Sequence, residues 1–406
     1  MRVVRTALRA VWWIGRAGIA TAVGYLAVLT VAAWSAPRRQ SSPPTTAQHR
    51  FLVLIPAHDE ERLVGQTLDS LNALDYPRDM FDVHVVADNC TDATADIVRS
   101  RGIEVHERTD PSAPGKGPAL QWLRARLDER GAPHDAVVFL DADTTARPAF
   151  LREVDRRLSE GERVVQGHYA VRDPGQTPVI AFRSAAFAAR NYLRPLGRTR
   201  IGGTAGLYGN GMVFTTDVLR TRTWSAHLTE DAELQLELLE DDIKVAFEPA
   251  AVVEAEMPET TEASRSQHER WERGRVELTR RFVPRLLRRT VVGGPAGRVA
   301  YLDAALDQAV PPFSILVAGT TAWASLETLA VVTRRHRPRQ LIVSLAVAGA
   351  QAAFVVSALR MVGAPRSVYR SLAQAPRLVV WKVVLWLRVL VGGERTAWIR
   401  TARNPT

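Results

Sequence analysis

Apolar positions along the chain follow three patterns, and each predicts a different kind of element. The first is long and unbroken. Gly18 to Ala36 carries no charge, holds Tyr25 and Trp34, and follows Trp12 and Trp13. A helix of that length crosses a hydrocarbon core of about 30 Å. Ala309 to Val332 and Leu341 to Leu359 repeat the pattern near the other end. Pro311-Pro312 suits a helix start, because first-turn N–H groups have no intrahelical partner. Glu327, inside the second run, is costly in lipid and is expected to face protein, water or the interface. Arg2, Arg5 and Arg9 resemble the basic end of a cleaved leader, but the first run is too long for one and Arg38-Arg39 follows it like a stop-transfer flank.

The second pattern is short and alternating. Ser41 to Thr46 is a linker by composition, after which Phe51 to Ile55, Asp82 to Ala87, Ile103 to His106 and Ala136 to Leu140 read as strands. Between them, Arg62 to Leu74, a stretch capped by Thr91 and running to Arg99, and Lys116 to Arg130 have helical spacing. Pro148 to Leu158 and Val179 to Leu193 read as helices around a strand from Arg163 to Val171. This order predicts an α/β fold with a mixed, mostly parallel sheet and helices on both faces. The third pattern, Tyr369 to Trp398, mixes apolar residues with Arg377, Lys382, Arg388 and Arg395 and carries three tryptophans, which predicts an amphipathic helix in the membrane interface. The expected organisation is an anchor over 1–40, a linker over 41–50, a catalytic domain over 51–280, an interfacial segment with two spans over 281–365, and an interface segment over 366–406.

Charge narrows the partners. Lys and Arg total 53 against 43 Asp and Glu in 406 residues, a net charge of +10. Arginines crowd the apolar ends while acidic residues sit in the middle, which favours membrane lipids over nucleic acid, and no zinc-finger or RNA-binding signature is present. The single cysteine, Cys90, excludes an intramolecular disulfide and fits a cytosolic domain. With a cytoplasmic middle, however, the basic connection Thr333 to Arg339 and the N-terminal arginines would lie outside, against the positive-inside tendency.

Candidate chemistry collects where strands end. Asp141-Ala142-Asp143 follows the strand at Ala136, and in an extended segment its two carboxylates share a face. Mg²⁺ or Mn²⁺ with substrate phosphates would relieve their repulsion. Asp88 ends an earlier strand, on the edge where open α/β sheets bind ligands. Asp231 sits in the first turn of a helix read over Ala232 to Leu239, where the dipole favours its ionised form. Gln267, Arg270 and Trp271 share one face of a charged helix. The glycines of 202–211 permit close backbone approach to a ligand, or else a plain flexible loop. Cys90 reads as packing, and His58 as a loop residue.

Five segments in order resemble the membrane-embedded members of glycosyltransferase family 2, the inverting class that includes cellulose, hyaluronan and chitin-oligosaccharide synthases. They are Ile55-Pro56-Ala57-His58-Asp59-Glu60-Glu61, Asp88, Asp141-Ala142-Asp143, Thr229-Glu230-Asp231 and Gln267-x-x-Arg270-Trp271. The resemblance covers roughly residues 51 to 275 and implies a GT-A-like fold at the inner membrane, with its catalytic domain in the cytoplasm. By it Asp231 would be the general base, and Pro56, Glu60, Asp88, Lys116, Asp141 and Arg270 would bind the nucleotide sugar, a UDP-sugar by expectation. Gln267, Trp271 and Glu230 would contact a saccharide or lipid-linked acceptor, and Asp143 with Asp141 would ligate the metal. Export subunits are the partners such synthases suggest. The chain departs from the best-known members in having three spans and in continuing Asp88 with Asn89-Cys90. A polyprenyl-phosphate sugar transferase and a non-catalytic membrane scaffold remain the alternatives.

Overall fold

The computed structural model describes residues 2–36, 46–131, 133–220, 222, 230–257, 265–334, 338–374, 376, 379–381 and 383–384. Eight strands form one sheet: β1 (Phe51–Ala57), β2 (Phe81–Asp88), β3 (Glu104–Arg108), β4 (Ala136–Phe139), β5 (Thr144–Ala146), β6 (Val164–Val171), β7 (Met212–Thr215) and β8 (Ala246–Ala255). Their order is β3-β2-β1-β4-β7-β6-β8-β5. The half from β3 to β4 is parallel, β7 runs antiparallel to both its neighbours, and β6 and β8 are parallel again. Both faces are buried, as the unbroken apolar runs require. Phe51, Val53 and Ile55 pack on one side with Leu68, Val98 and Phe150, and Leu52 and Leu54 on the other with Leu120, Leu123 and Leu238.

The predicted elements of the first half are found with shifted ends. Helix capping differs in one detail. Asp92, not Thr91, accepts the first N–H of the helix Thr94–Ser100, at 2.9 Å, while Thr91 donates its backbone N–H to Asp59 at 2.7 Å. Strand β8 was not legible in the alternation, because Glu248-Pro249 interrupts it. The register with β6 slips there, from Gly167 opposite Glu248 to His168 opposite Val252, so the proline occupies a bulge where no ladder N–H is needed. Pro56 is accommodated similarly. The pairing of β1 with β4 ends at Leu54 and Phe139, so the missing N–H faces a side that β4 has already left.

Among the described residues, three helices are long and apolar enough to cross a membrane: Trp12–Trp34 within the helix Arg2–Trp34, Phe313–Val332, and Arg339–Met361. Pro312 directly precedes the second, and the helix Arg298–Ala309 stops before the prolines. Glu327 faces protein as expected. It is buried and ion-paired at 3.0 Å with Arg16 of the first span, and Arg16 also stacks on Trp13 and Trp323, each ring centroid 4.5 Å away. The predicted interface helix from Tyr369 begins as a short helix, Arg366–Ser371, with a 3₁₀ turn to Gln374; of its remainder 376, 379–381 and 383–384 are described and helical, and the rest, with the basic loop at 335–337, lies outside the described residues.

The sheet domain rests on the first span through the continuous helical stretch from Pro178 to Arg200. Gly197 crosses that span so closely that a Cβ there would overlap the carbonyl of Leu29. Close approach of this kind is what small residues allow between packed helices. Gly197→Val is therefore expected to destabilise the protein in detergent by about 1–3 kcal/mol, the usual cost of overpacking. Gly349→Val, in a helix position with open space around it, is expected to leave the thermal midpoint unchanged. Equal midpoints for the two variants would refute this docking contact.

Candidate active site

The site is assembled from the carboxyl ends of β1, β2 and β4 and from two segments that come later in the chain. Asp88, the last residue of β2, is buried, and both its oxygens are engaged. Oδ1 accepts from Arg108 at 2.5 Å and Oδ2 from the backbone N–H of Gly115 at 3.4 Å. Arg108 stands directly opposite Asp88 in the β2–β3 register, so strand pairing itself delivers the guanidinium. Gly115 has φ of +114°, a conformation that suits glycine, and opens the helix Lys116–Asp128. Asp88 thereby fixes where Lys116 begins.

The Lys116 ammonium reaches across to Asp141 Oδ1 at 2.5 Å and also donates to the carbonyl of Gly209. Burial opposes its charge, yet Asp141, Glu230 and Asp231 together hold its pKa above the ordinary value. Asp141-Ala142-Asp143 is not extended as expected. It forms a turn closed by the Thr144 N–H on the Asp141 carbonyl at 3.2 Å, with Ala142 buried and its carbonyl accepting the Thr67 hydroxyl at 2.7 Å. Asp143 accepts the Thr144 hydroxyl at 3.3 Å, and its backbone carbonyl accepts from Arg172 at 3.3 Å.

The glycine-rich segment is pinned, not flexible. Gln166 of β6 donates to the carbonyl of Asn210 at 2.8 Å and accepts the N–H of Tyr208 at 3.1 Å. Asn210, fully buried, donates to Thr144 at 2.6 Å and accepts the N–H of Asp141 at 3.3 Å. Gly209 and Gly211 both adopt positive φ, and a Cβ at Gly209 would lie 3.4 Å from an Asp231 oxygen and 3.8 Å from the Lys116 ammonium. Backbone approach at Gly209 is thus what lets the loop, the lysine and Asp231 share one space.

Glu230 and Asp231 open the helix Glu230–Glu240, close to the expected position; Thr229 lies outside the described residues. Burial, then the Asp231 charge, push Glu230 up to about 7, with Lys116 pulling the other way. Burial raises Asp231 as well, against Arg190 and Lys116. Arg190 comes from a π-helical turn, Ala188–Leu193, a feature that recurs at functional sites. Its guanidinium lies 5.6 Å from the ring centroid of Tyr208 and 5.9 Å from that of Trp271. Trp271 belongs to the helix Arg265–Val292; the side chains of Gln267 and Arg270 lie outside the described residues.

On the β1 side, Pro56 is in the strand and Glu60 in the following turn, where its N–H donates to Thr94 at 2.7 Å. His58 Nδ1 is 2.7 Å from the Asp88 carbonyl, and burial pushes the Cys90 thiol up to about 11, which suits packing and not chemistry. The structure therefore brings together Lys116, Asp141, Glu230 and Asp231, and sets Asp88 behind them as an anchor. Arg108, Gln166, Arg190, Tyr208 and Asn210 were missed in the sequence. Asn210, between two glycines, carried the one local signal.

Residues 49–274, more than half of the chain, match the family described as "Glycosyltransferase like family 2". "Probable glycosyltransferase YdaM" of Bacillus subtilis is 28% identical over 243 residues, 57% of this chain and 56% of that protein. "Beta-monoglucosyldiacylglycerol synthase" of Synechocystis is 27% identical over 241 residues, 57% of this chain and 48% of that protein. The chain spans about half the length of these curated relatives. Among solved structures, mannosyltransferase PcManGT from Pyrobaculum calidifontis, in complex with GDP-Man and Mn²⁺, aligns with a TM-score of 0.54 over 86% of this chain and 97% of that one, at 18% identity. That likeness is one of fold.

A raised carboxyl pKa has a signed consequence for stability. Between about 4.5, the ordinary value, and about 7 the folded protein holds a proton on Glu230 that the unfolded chain has released, so stability falls as pH rises through that window. Glu230→Gln is expected to flatten the decline, gaining thermal midpoint over the natural protein at pH 7.5 more than at pH 5. Parallel pH profiles for the two proteins would contradict the burial of this carboxyl.

Proposed function

The chain belongs to glycosyltransferase family 2, and from that premise we propose that it transfers a sugar from a nucleotide sugar to a hydroxyl of a saccharide or lipid-linked acceptor at the inner membrane face, with inversion at the anomeric carbon. A UDP-sugar is the first donor to try. The observation that carries this reading is the convergence of Lys116, Asp141 and Asp231 on the Gly209 backbone.

Asp231 is the proposed base. An acceptor hydroxyl is a poor nucleophile until a carboxylate in hydrogen-bond reach takes its proton, and a base works best with a pKa drawn toward the working pH. The raised pKa of Asp231 supports that role. As the new bond forms at the anomeric carbon, the bond to the diphosphate oxygen breaks and the nucleoside diphosphate departs. A base on the face opposite the leaving group gives inversion, through an oxocarbenium-like state.

Asp143, with Asp141, would hold Mg²⁺ or Mn²⁺. Among the described residues neither joins a ligand-like group of three or more His, Cys, Asp or Glu side chains, so the chain offers a pair of carboxylates and leaves the remaining positions to phosphates and water, the ligand set such ions take. Bound there, the ion would stabilise charge on the departing diphosphate. Lys116 adds a fixed positive charge beside Asp141, and Arg270 would face the diphosphate. Pro56, Glu60 and Asp88 shape the nucleoside end. Trp271, with the Arg190 guanidinium 5.9 Å from its ring centroid, offers an apolar ring for the acceptor, which Gln267 and Glu230 would also contact.

The glycolipid synthase relatives and the three apolar helices support an acceptor held at the membrane by a multi-pass enzyme. In this reading its catalytic domain, about residues 51–280, would face the cytoplasm. Protein purified in detergent with Mn²⁺ is expected to release nucleoside diphosphate from a nucleotide sugar. Asp231→Asn is expected to lower acceptor-dependent turnover about 10²–10⁴-fold while donor binding persists. Unchanged turnover would remove Asp231 as base. Radiolabelled product extracting into organic solvent would assign a lipid acceptor, and product held in the aqueous phase a saccharide.

A further inference from the structure

One side-chain cluster stands apart from the transfer site. His84 lies on β2, and Glu104 and His106 on β3, the edge strand of the sheet. The parallel register sets Glu104 opposite His84 and His106 opposite Val86, so all three side chains share one face. His84 Nδ1 is 3.1 Å from His106 Nε2. The Glu104 carboxylate spans the two rings, with Oε2 3.5 Å from His84 Nδ1 and Oε1 3.4 Å from His106 Nε2.

The ring nitrogens and one Glu104 oxygen can lie within 4.8 Å of one another, and a small rotation of the carboxylate would bring that oxygen to the spacing an ion requires. A tetrahedral ion with bonds of about 2.0–2.1 Å holds its ligand atoms about 3.3–3.4 Å apart. The proton shared between the two rings would have to leave, or move to the other nitrogen of its ring, when an ion takes both atoms. His106 is buried, His84 half-buried and Glu104 exposed, which leaves the fourth vertex open to water. Arg130, an exposed side chain, pairs with Glu104 and must swing away for the carboxylate to turn inward.

We propose that His84, Glu104 and His106 form a binding site for a zinc-class transition-metal ion with water as fourth ligand. Two imidazoles and one carboxylate suit zinc, and not the all-oxygen preference of Mg²⁺. The ion ties edge strand β3 to β2. Two residues further along the same ladder, Arg108 grips Asp88, so the tie also steadies the anchor of the transfer site. An edge strand fastened in this way is less open to pairing with another chain.

The test uses the full chain in detergent, freed of metal by chelation and titrated with Zn²⁺ in the absence of nucleotide. Calorimetry is expected to show one saturable site that His84→Gln/His106→Gln lacks, with a zinc-dependent rise in thermal midpoint in the natural protein alone. Glu104→Gln, exposed and therefore safe for folding, is expected to weaken Zn²⁺ binding about tenfold or more. Co²⁺ in place of zinc is expected to give the intense visible bands of a tetrahedral site, retained in Cys90→Ser, which removes the only thiol from the separate Asp59–Cys90–Asp92 group. Equal zinc stoichiometry and midpoint shift in the natural protein and the Glu104 variant, or loss of the cobalt bands with Cys90, would overturn the proposal.

Discussion

A single ammonium group organises the centre of this molecule. Lys116 stands among Asp141, Glu230 and Asp231, carboxylates delivered by segments far apart in the sequence, whose mutual repulsion would otherwise drive protons onto them or push the segments apart. The lysine does not find this place by chance. Arg108 holds Asp88, Asp88 holds the Gly115 N–H, and that glycine starts the helix whose first residue is Lys116. Each link is short-ranged, and together they carry the geometry of an edge strand to the middle of the sheet. The lysine's second bond, to the Gly209 carbonyl, brings in a loop that Gln166 and Asn210 have already fixed.

The same centre is mechanically continuous with the membrane helices. From Arg190, which faces Trp271 and influences Asp231, the helix continues to Arg194 and Arg198, paired with Asp307 and Asp303. Asp303 in turn accepts the Tyr25 hydroxyl of the first span at 2.8 Å. The helix carrying Trp271 is tied to the same base, since Arg275 donates to the Val310 carbonyl and Thr279 to that of Gln308 at 3.2 Å, just ahead of the second span. Buried charge pairs of this kind are costly to desolvate and contribute less to net stability than to a defined arrangement. Here that arrangement sets the Arg190–Trp271 side of the site against the segment that leads into the second apolar helix.

Much of this was legible in the chain because it depends on local rules. Strands β1, β2 and β4 showed as apolar runs ending in acidic residues, the three spans as long apolar stretches with Glu327 their single charge, and Glu230-Asp231 as a helix opening. What stayed hidden depends on contacts between distant segments. Arg108 looks like any strand-end arginine until register sets it against Asp88, and Arg190 like any helix-surface arginine until a π-turn and two aromatic rings surround it. Strand β8 was hidden by Pro249, which a bulge accommodates, and β5 by having three residues. The Asp141–Asp143 segment reads as extended in the sequence because the contacts that bend it, among them those of Thr67 and Asn210, come from distant segments.

In the proposed function, carboxylates at the carboxyl edge of β4 and at the start of the Glu230 helix surround one diphosphate-and-metal site. Crystals of the detergent-solubilised protein grown with Mn²⁺ and a nucleoside diphosphate would test it through the anomalous signal of manganese. The expected peak lies in coordination contact with Asp143, with the diphosphate running from it toward Lys116 and Asp231. A manganese peak away from Asp143, or a diphosphate bound where neither Lys116 nor Asp231 can approach it, would contradict the account.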